Sequence, residues 1–194
     1  KSLIQRVYEE ALKTKANRIC IATDHESIVR ECESFKAEVV LTSPDHKSGT
    51  DRLSEAASIL KLEKKEIVVN LQGDEPFVNP KDIDSLVYLL INEKKADLVT
   101  LYSNLLENEY DDVDKVKIWV KSNKKVMGFS RKKNLFSDTG LILGKHKGIY
   151  AYRVSFLKEF VSLKESSQEK KESLEQLRAI DNHKYIAAIE SLSN

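Results

Sequence analysis

Gln72-Gly73-Asp74-Glu75-Pro76 follows directly on the apolar run Ile67 to Leu71. A glycine there lets the backbone turn sharply and come close to a ligand, and Asp74 supplies a hard carboxylate oxygen of the kind that holds magnesium beside phosphates. The same residue types also build an ordinary strand-to-helix turn whose acids cap the next helix. A second cluster, Ser48-Gly49-Thr50-Asp51-Arg52, gathers small hydroxyls, free backbone N–H groups and a guanidinium ahead of an apolar helical stripe. Such a helix start suits an anion or a nucleobase, and it equally suits plain capping. Tyr150 and Tyr152 fall on one strand face with His146 four residues before Tyr150, a set that could contact a ligand or pack as a core strand. The same two readings hold for His25, His46 and His183. By periodicity, Leu174-Glu-Gln-Leu-Arg178 is a surface helix in which Leu174 and Leu177 pack while Glu175 and Gln176 point to neighbouring directions.

Several chemistries are excluded. No P-loop, no GxSxG elbow and no HExxH pair occurs, which sets aside P-loop kinases, α/β-hydrolases and zincins. Thirty-two basic against thirty-one acidic residues leave a net charge of +1, so there is no global field to recruit nucleic acid or an anionic membrane. Any anionic ligand must be held locally. Cys20 and Cys32 form no CxxC pair and no His/Cys cluster at zinc spacing, and both are expected as reduced, buried thiols. No apolar run approaches the roughly 20 residues of a membrane helix, and no charged-then-apolar leader opens the chain, so a soluble, cytoplasmic protein is expected.

These groups need elements to hold them. Leu3, Ile4, Val7, Tyr8, Ala11 and Leu12 recur at helical spacing, and Arg18 to Ala22 reads as a strand. Thr23-Asp24 offers a cap for a helix through about Phe35, and Glu38 to Thr42 is a second strand. Leu53, Ala56, Ala57 and Leu60 mark a third helix. Ile67 to Leu71, apolar on both faces, reads as a central strand. Pro80 opens a helix carrying Ile83, Leu86, Val87 and Leu90, and Asp97 to Tyr102 returns to strand. Such alternation predicts an α/β fold, a mostly parallel sheet with helices on both faces and ligands beyond the carboxyl ends of its strands. Val116 to Val120, Val126 to Phe129 and Ile149 to Tyr152 lack long helices between them, which predicts a smaller antiparallel extension. Two helices, around 156–161 and 170–180, follow. At 194 residues the size predicts a single domain, 1–194.

Taken in order, Ala22-Thr-Asp-His25, Asp45-His-x-Ser-Gly-Thr-Asp-Arg52, Val69-Asn-x-Gln-Gly-Asp-Glu-Pro76, Phe129-Ser-Arg131, His146-x-Gly-Ile-Tyr150 and Leu174-Glu-Gln-Leu-Arg178 resemble the 3-deoxy-manno-octulosonate cytidylyltransferase family. The resemblance runs through nearly the whole chain. It implies a Rossmann-like nucleotidyltransferase fold, a homodimer, and transfer of CMP from CTP to the anomeric hydroxyl of an acidic 3-deoxy sugar for lipopolysaccharide biosynthesis, with release of pyrophosphate and with Mg2+ as cofactor. Carried over residue by residue, it makes Asp74 a magnesium ligand and, with Arg131, a catalytic residue. Ser48, Gly49, Thr50, Arg52, Gln72 and Gly73 would contact the nucleotide. Arg131, His146, Tyr150, Glu175 and Gln176 would line the sugar pocket, Arg131 gripping the sugar carboxylate.

The sequence also departs from the family pattern. Family members begin with a first strand and a basic loop that wraps the triphosphate, whereas this sequence opens at what matches that loop's last Lys, Lys1. They also carry an Asp-Thr-Pro segment whose Asp is a second metal ligand, and this sequence stops at Ile189-Glu-Ser-Leu-Ser-Asn194, shortly after its last strand. Ser130 to Phe136 lacks the family's Ile-Pro pair. The resemblance therefore implies a domain incomplete at both ends, and a much reduced rate for these residues by themselves. CMP activation of a sialic-acid-like sugar, and a non-catalytic dimerising scaffold, stay open as alternatives.

Overall fold

The computed structural model describes residues 1–132, 136 and 140–193; the rest of the loop that lacks the Ile-Pro pair lies outside the described residues. The first half alternates as expected: α1 (Leu3–Ala11), β1 (Cys20–Thr23), α2 (Glu26–Ser34), β2 (Glu38–Leu41), α3 (Gly49–Ile59), β3 (Ile67–Asn70), α4 (Pro80–Asn92) and β4 (Leu98–Asn104). Local chemistry sets the helix starts. The side chains of Ser2, Ser48 and Asn79 accept the N–H groups of Gln5, Asp51 and Lys81, and Pro80 sits in the first turn, where a missing N–H is no loss. The start of α2 corrects the expected Thr23-Asp24 cap. His25 is the N-cap, its Nδ1 accepting from Ser27 N at 3.2 Å, because Asp24 turns instead to Arg52.

β1 and β2 pair in parallel. β5 (Lys117–Val120), β6 (Val126–Ser130), β7 (Ile142–Arg153) and β8 (Ile186–Glu190) join β3 and β4 in a six-stranded sheet. β7 is its axis: β4 runs along one side of it, and β3 and β5 share the other side at opposite ends. All three are antiparallel to β7, β8 is parallel to β4, and β6 is antiparallel to β5. β3, β4, β5 and β8 thus share one sense, and the reversed β6 and β7 form the antiparallel extension.

Three local expectations change. β7 begins at Ile142 rather than near Ile149; its first half carries Gly144, Lys145 and Lys147, which mask a strand pattern, yet it is sandwiched between β4 and β5. β3 is not central, since among the described residues it pairs with β7 alone. Its two-faced apolarity comes from two cores, Val68 packing on one and Ile67 and Val69 on the other. The helix expected over 170–180 is two helices, α6 (Ser167–Glu172) and α7 (Leu177–Asp181), following α5 (Val154–Phe160). Ser173, at φ 53° and ψ 48°, ends α6 in the left-handed region. The break lets the Arg178 guanidinium meet the Glu169 carboxylate at 2.6 to 3.2 Å. In an unbroken helix those residues would stand about 13 Å apart along the axis.

The sheet separates the two cores. On one face Ala57, Phe156, Leu157, Phe160, Leu174 and Leu177 close over Ile118, Phe129 and Ile186. On the other, Ile83, Leu86, Leu89 and Leu90 of α4 cover Val99, Leu101 and Ala187. Among the described residues no helix is long and apolar enough to cross a membrane. Cys32 is buried as expected whereas Cys20 is only half-buried; lost hydration raises both thiols, Cys20 to about 11, and leaves them chemically quiet.

Gly144 of β7 leaves no room for a side chain against β4: an added Cβ would lie 2.6 Å from Tyr102 Cδ2 and 3.1 Å from Ser103 O. Gly144→Ala is expected to lower stability by about 1–3 kcal/mol, read from urea unfolding; an unchanged midpoint would mean that the ladder yields freely there.

Candidate active site

The turn after β3 brings Asp74 to the surface at the carboxyl end of the strand. Gln72 O accepts from Glu75 N at 3.3 Å, and the buried Val78 anchors the exit. No glycine here has positive φ, so Gly73 is not needed for a sharp turn, contrary to expectation. An added Cβ would meet only Ile4 Cδ1 at 3.4 Å, an ordinary contact. Gly73 instead borders an apolar groove of about 370 Å³ shared with Ile4, Ile21, Thr23 and Ile28. Among the described residues no three His, Cys, Asp or Glu side chains converge on a metal position.

The start of α3 divides its labour. Ser48 is a cap, its hydroxyl accepting from Asp51 N at 3.2 Å and donating to Asp51 Oδ2 at 3.0 Å. A Cβ at Gly49 would meet nothing within 4 Å, leaving the helix start open. Thr50 is buried and donates to Glu175 Oε2 at 2.8 Å. Arg52 points back toward the parallel pair: Nη1 donates to Thr42 Oγ1 and Nη2 to Asp24 Oδ2, each at 2.7 Å, and the guanidinium holds the Asp24 carboxyl below its ordinary range. The first two motifs are thereby tied together. His46 Nε2 and Ser43 N meet Glu55, fastening the loop before α3 and drawing the Glu55 carboxyl down.

In β7 the register slips. Thr100 faces Tyr150 while the next residue, Leu101, faces Lys147, so residues 148 and 149 form a bulge with no partner in β4. On a regular strand His146 and Tyr150 would be about 13 Å apart; the bulge brings their rings to 5.4 Å, with Phe129 edge-on to His146 at 4.9 Å. The Thr100 hydroxyl fills the bulge, lying 2.8 Å from Ile149 O, 3.2 Å from Lys147 O and 2.9 Å from His146 Nε2. That one proton has three acceptors within reach; given to a carbonyl, it leaves His146 Nε2 as the donor and Nδ1 as the acceptor, and in either arrangement the ring is neutral. Burial agrees, pulling the imidazole to about 3.

Tyr150 and Tyr152 point to the same side, and burial with the nearby Glu175 pushes both phenols up. Glu175 is itself raised by lost hydration, which the Thr50 hydroxyl partly offsets. Two atoms in this wall, Glu175 Oε1 and Tyr152 Oη, are buried without a hydrogen bond. Buried polar atoms of this kind ask for a polar ligand or a water. Gln176 is buried beside them at the start of α7, so the motif expected as a surface helix is an interior turn. Arg131 leaves the end of β6 with Nε donating to Glu172 O at 2.9 Å and Nη1 to Val113 O at 3.0 Å.

Of the expected residues, Thr50, Tyr150 and Glu175 line one wall with Tyr152, and His146 joins it through Tyr150. Gln72 and Asp74 stand apart on the β3 turn, and Arg52 serves β1 and β2. Thr100, Glu172 and Lys117 went unnoticed, although a polar residue inside the apolar runs at Thr100 and Lys117 was a visible signal.

The sequence pattern of the cytidylyltransferases matches residues 1–186. The chain belongs to the cytidylyltransferase family. Within it, "3-deoxy-manno-octulosonate cytidylyltransferase" of Pseudoalteromonas translucida (strain TAC 125) is 40% identical over 98% of this chain and 79% of its own length. The protein of the same name from Francisella tularensis subsp. novicida (strain U112) is 42% identical over 98% of this chain and 80% of its own. Among solved structures, that of CMP:2-keto-3-deoxy-manno-octonic acid synthetase complexed with CTP superposes with a TM-score of 0.90 at 34% identity, over 98% of this chain and 79% of that one. A cytidylyltransferase from Leptospira borgpetersenii serovar Hardjo-bovis shares the fold at a TM-score of 0.59 and 14% identity, over 99% of this chain and 66% of that one.

His146 contributes stability above pH 6.5, its ordinary value, and loses that contribution as the pH falls toward about 3. Its imidazole proton resonances should accordingly stay constant from about pH 8 to pH 4; a midpoint near 6.5 would disprove the buried neutral ring. Thr100→Val, which removes the hydroxyl shared by His146 Nε2 and the carbonyls of Lys147 and Ile149, is expected to cost about 1–3 kcal/mol in thermal or urea unfolding.

Proposed function

We propose that this chain transfers CMP from CTP to the anomeric hydroxyl of 3-deoxy-manno-octulosonate, releasing pyrophosphate. The observation that carries the reading is the likeness, at 34% identity over 98% of the chain, to a synthetase for this sugar solved with CTP. The sialic-acid and scaffold alternatives are not favoured, because relatives at 40% and 42% identity carry the name of the octulosonate enzyme. In the reaction, the anomeric hydroxyl oxygen attacks the α-phosphorus and gives up its proton to water, the bond from that phosphorus to the bridging oxygen breaks, and its electron pair leaves on pyrophosphate. No protein nucleophile is required, so positioning and charge stabilisation carry the catalysis.

The parts fit that division. The open start of α3, with Gly49 bare and Ser48 and Thr50 beside it, would receive the nucleotide with Gln72 and Gly73. The wall of Tyr150, Tyr152, Glu175 and Gln176 would receive sugar hydroxyls, for which Glu175 Oε1 and Tyr152 Oη lack partners. A neutral His146 can accept there through Nδ1. Arg131, already held through Nε and Nη1, would meet the sugar carboxylate with the Nη2 side of its fork. Arg52 would act on the nucleotide indirectly, by holding the loop.

An exposed carboxylate such as Asp74, outside any ready-made cluster of three metal ligands, suits Mg2+ brought in on the triphosphate, since such ions are commonly held by one or two carboxylates plus phosphates. Asp74 is the residue to hold it, and when bound the ion would neutralise charge on the phosphoryl oxygens. The same reading takes the family's homodimer as the assembly and the cytoplasm, where CTP is made, as the place. It treats residues 1–194 as one domain.

Pyrophosphate release from CTP plus 3-deoxy-manno-octulosonate should require Mg2+ and fall by about 10²–10³ in Asp74→Ala. Release that is indifferent to the sugar, or to Asp74, would overturn the assignment.

A further inference from the structure

Among the described residues Lys117 is the largest side chain with no exposure at all, 0%, and it sits beside Ile118, Trp119 and Val120 in β5. An ammonium taken out of water is costly unless its donors are satisfied, and packing alone would be served by Met or Leu. Its Nζ donates to two backbone carbonyls, Asp112 O at 2.5 Å and Arg131 O at 3.0 Å. Lost hydration lowers its pKa while the Asp112 and Asp111 carboxylates work the other way.

Both carbonyls belong to the support of Arg131. Glu172 takes the Arg131 N–H on Oε2 and the Nε–H on its own carbonyl, each at 2.9 Å, and Ser130 Oγ adds a bond to the same carboxylate at 3.3 Å. The other anchor of the guanidinium is Val113 O, next in the chain to the Asp112 carbonyl that Lys117 holds. Lys117 therefore grips Arg131 twice, once at its own carbonyl and once through the turn that receives its side chain. We propose that Lys117 is a positioning residue for Arg131, its buried ammonium fixing the Arg131 carbonyl and the Asp112-Val113 turn so that the guanidinium meets the substrate carboxylate in one orientation. This rests on the sugar-binding reading of Arg131. A misplacement of about 1 Å in such a clamp is worth up to about 10²-fold.

Lys117→Met keeps length and apolar packing and removes the donors. In this variant the hydrogen-exchange protection of Arg131 Nε–H, followed by NMR, should drop at least about tenfold, and KM for the sugar should rise about tenfold, with KM for CTP and kcat nearly unchanged. In an Arg131→Ala background, Lys117→Met should add no further rise. If Nε–H protection and sugar KM both stay put in Lys117→Met, Lys117 is structural only and the proposal fails. Should that variant not fold, the unaltered chain decides: a slowly exchanging Lys117 ammonium with scalar coupling to the Arg131 carbonyl carbon supports the proposal, and its absence overturns it. Sugar KM unmoved by Arg131→Ala, while Lys117→Met still deprotects Nε–H, would sink the sugar reading of Arg131 and leave the positioning intact.

Discussion

The double pairing of β7 is the constraint on which the rest of the molecule depends. A single strand of twelve residues has β4 along one side and both β5 and β3 along the other. It therefore joins the first half of the chain, where strands and helices alternate, to the antiparallel hairpin of β5 and β6. Satisfying both neighbours along its length is not compatible with a uniform register, and the mismatch is absorbed in one place, opposite Thr100. Bulges commonly re-aim side chains beside functional sites. Here the bulge folds the spacing between His146 and Tyr150 so that the two rings, with Phe129, make one aromatic wall.

That wall meets a polar one with few solvent contacts. Thr50 from the start of α3, Glu175 from the turn before α7 and Tyr152 from β7 come from three distant parts of the chain, joined by the bond between Thr50 and Glu175. Lost hydration weakens the ionised form of each titratable group: Glu175 and the two tyrosines are pushed up and His146 is pushed down. The outcome is a surface that favours neutral donors and acceptors, suited to hydroxyl groups. Charge is supplied at the margins, by Arg131 and Asp74, where water still screens it. A sugar acid and a nucleotide triphosphate call for such a division, with hydroxyl recognition inside and anion recognition at the edge.

The α6 to α7 segment ties these margins together. Glu169 and Arg178 form a buried ion pair, at 2.6 Å at its shortest, with the guanidinium also stacked over Phe160 at 5.0 Å. Buried pairs of this kind are poor sources of net stability but strict about geometry, because either charge left alone is heavily penalised. Closing the pair forces the left-handed residue at Ser173 and turns Glu175 and Gln176 inward. The same short segment lends Glu172 to Arg131. Arg131 at the end of β6 and Glu175 and Gln176 in the turn before α7 are thus set by one bracket.

Much of this was legible in the residues. The alternation through β4, the Ser48 and Asn79-Pro80 helix starts, the antiparallel second half and the family motifs all rest on local pattern, which side-chain period and capping chemistry determine with little help from the rest of the chain. The position of β3 was not legible, because apolarity on both faces reports burial of faces and says nothing about which edges are paired. Nor was the length of β7, whose lysines and glycines are held in strand by neighbours remote in sequence. The inward turn of Glu175 depends on an ion pair that spans nine residues across a broken helix, and the clamp on Arg131 depends on carbonyls from three separate segments. The sequence by itself determined the elements, their order and the chemical types at the site; which edges pair, which polar groups lose their water and which way each side chain faces were decided only when distant segments came together, because pairing and desolvation are properties of the packed chain.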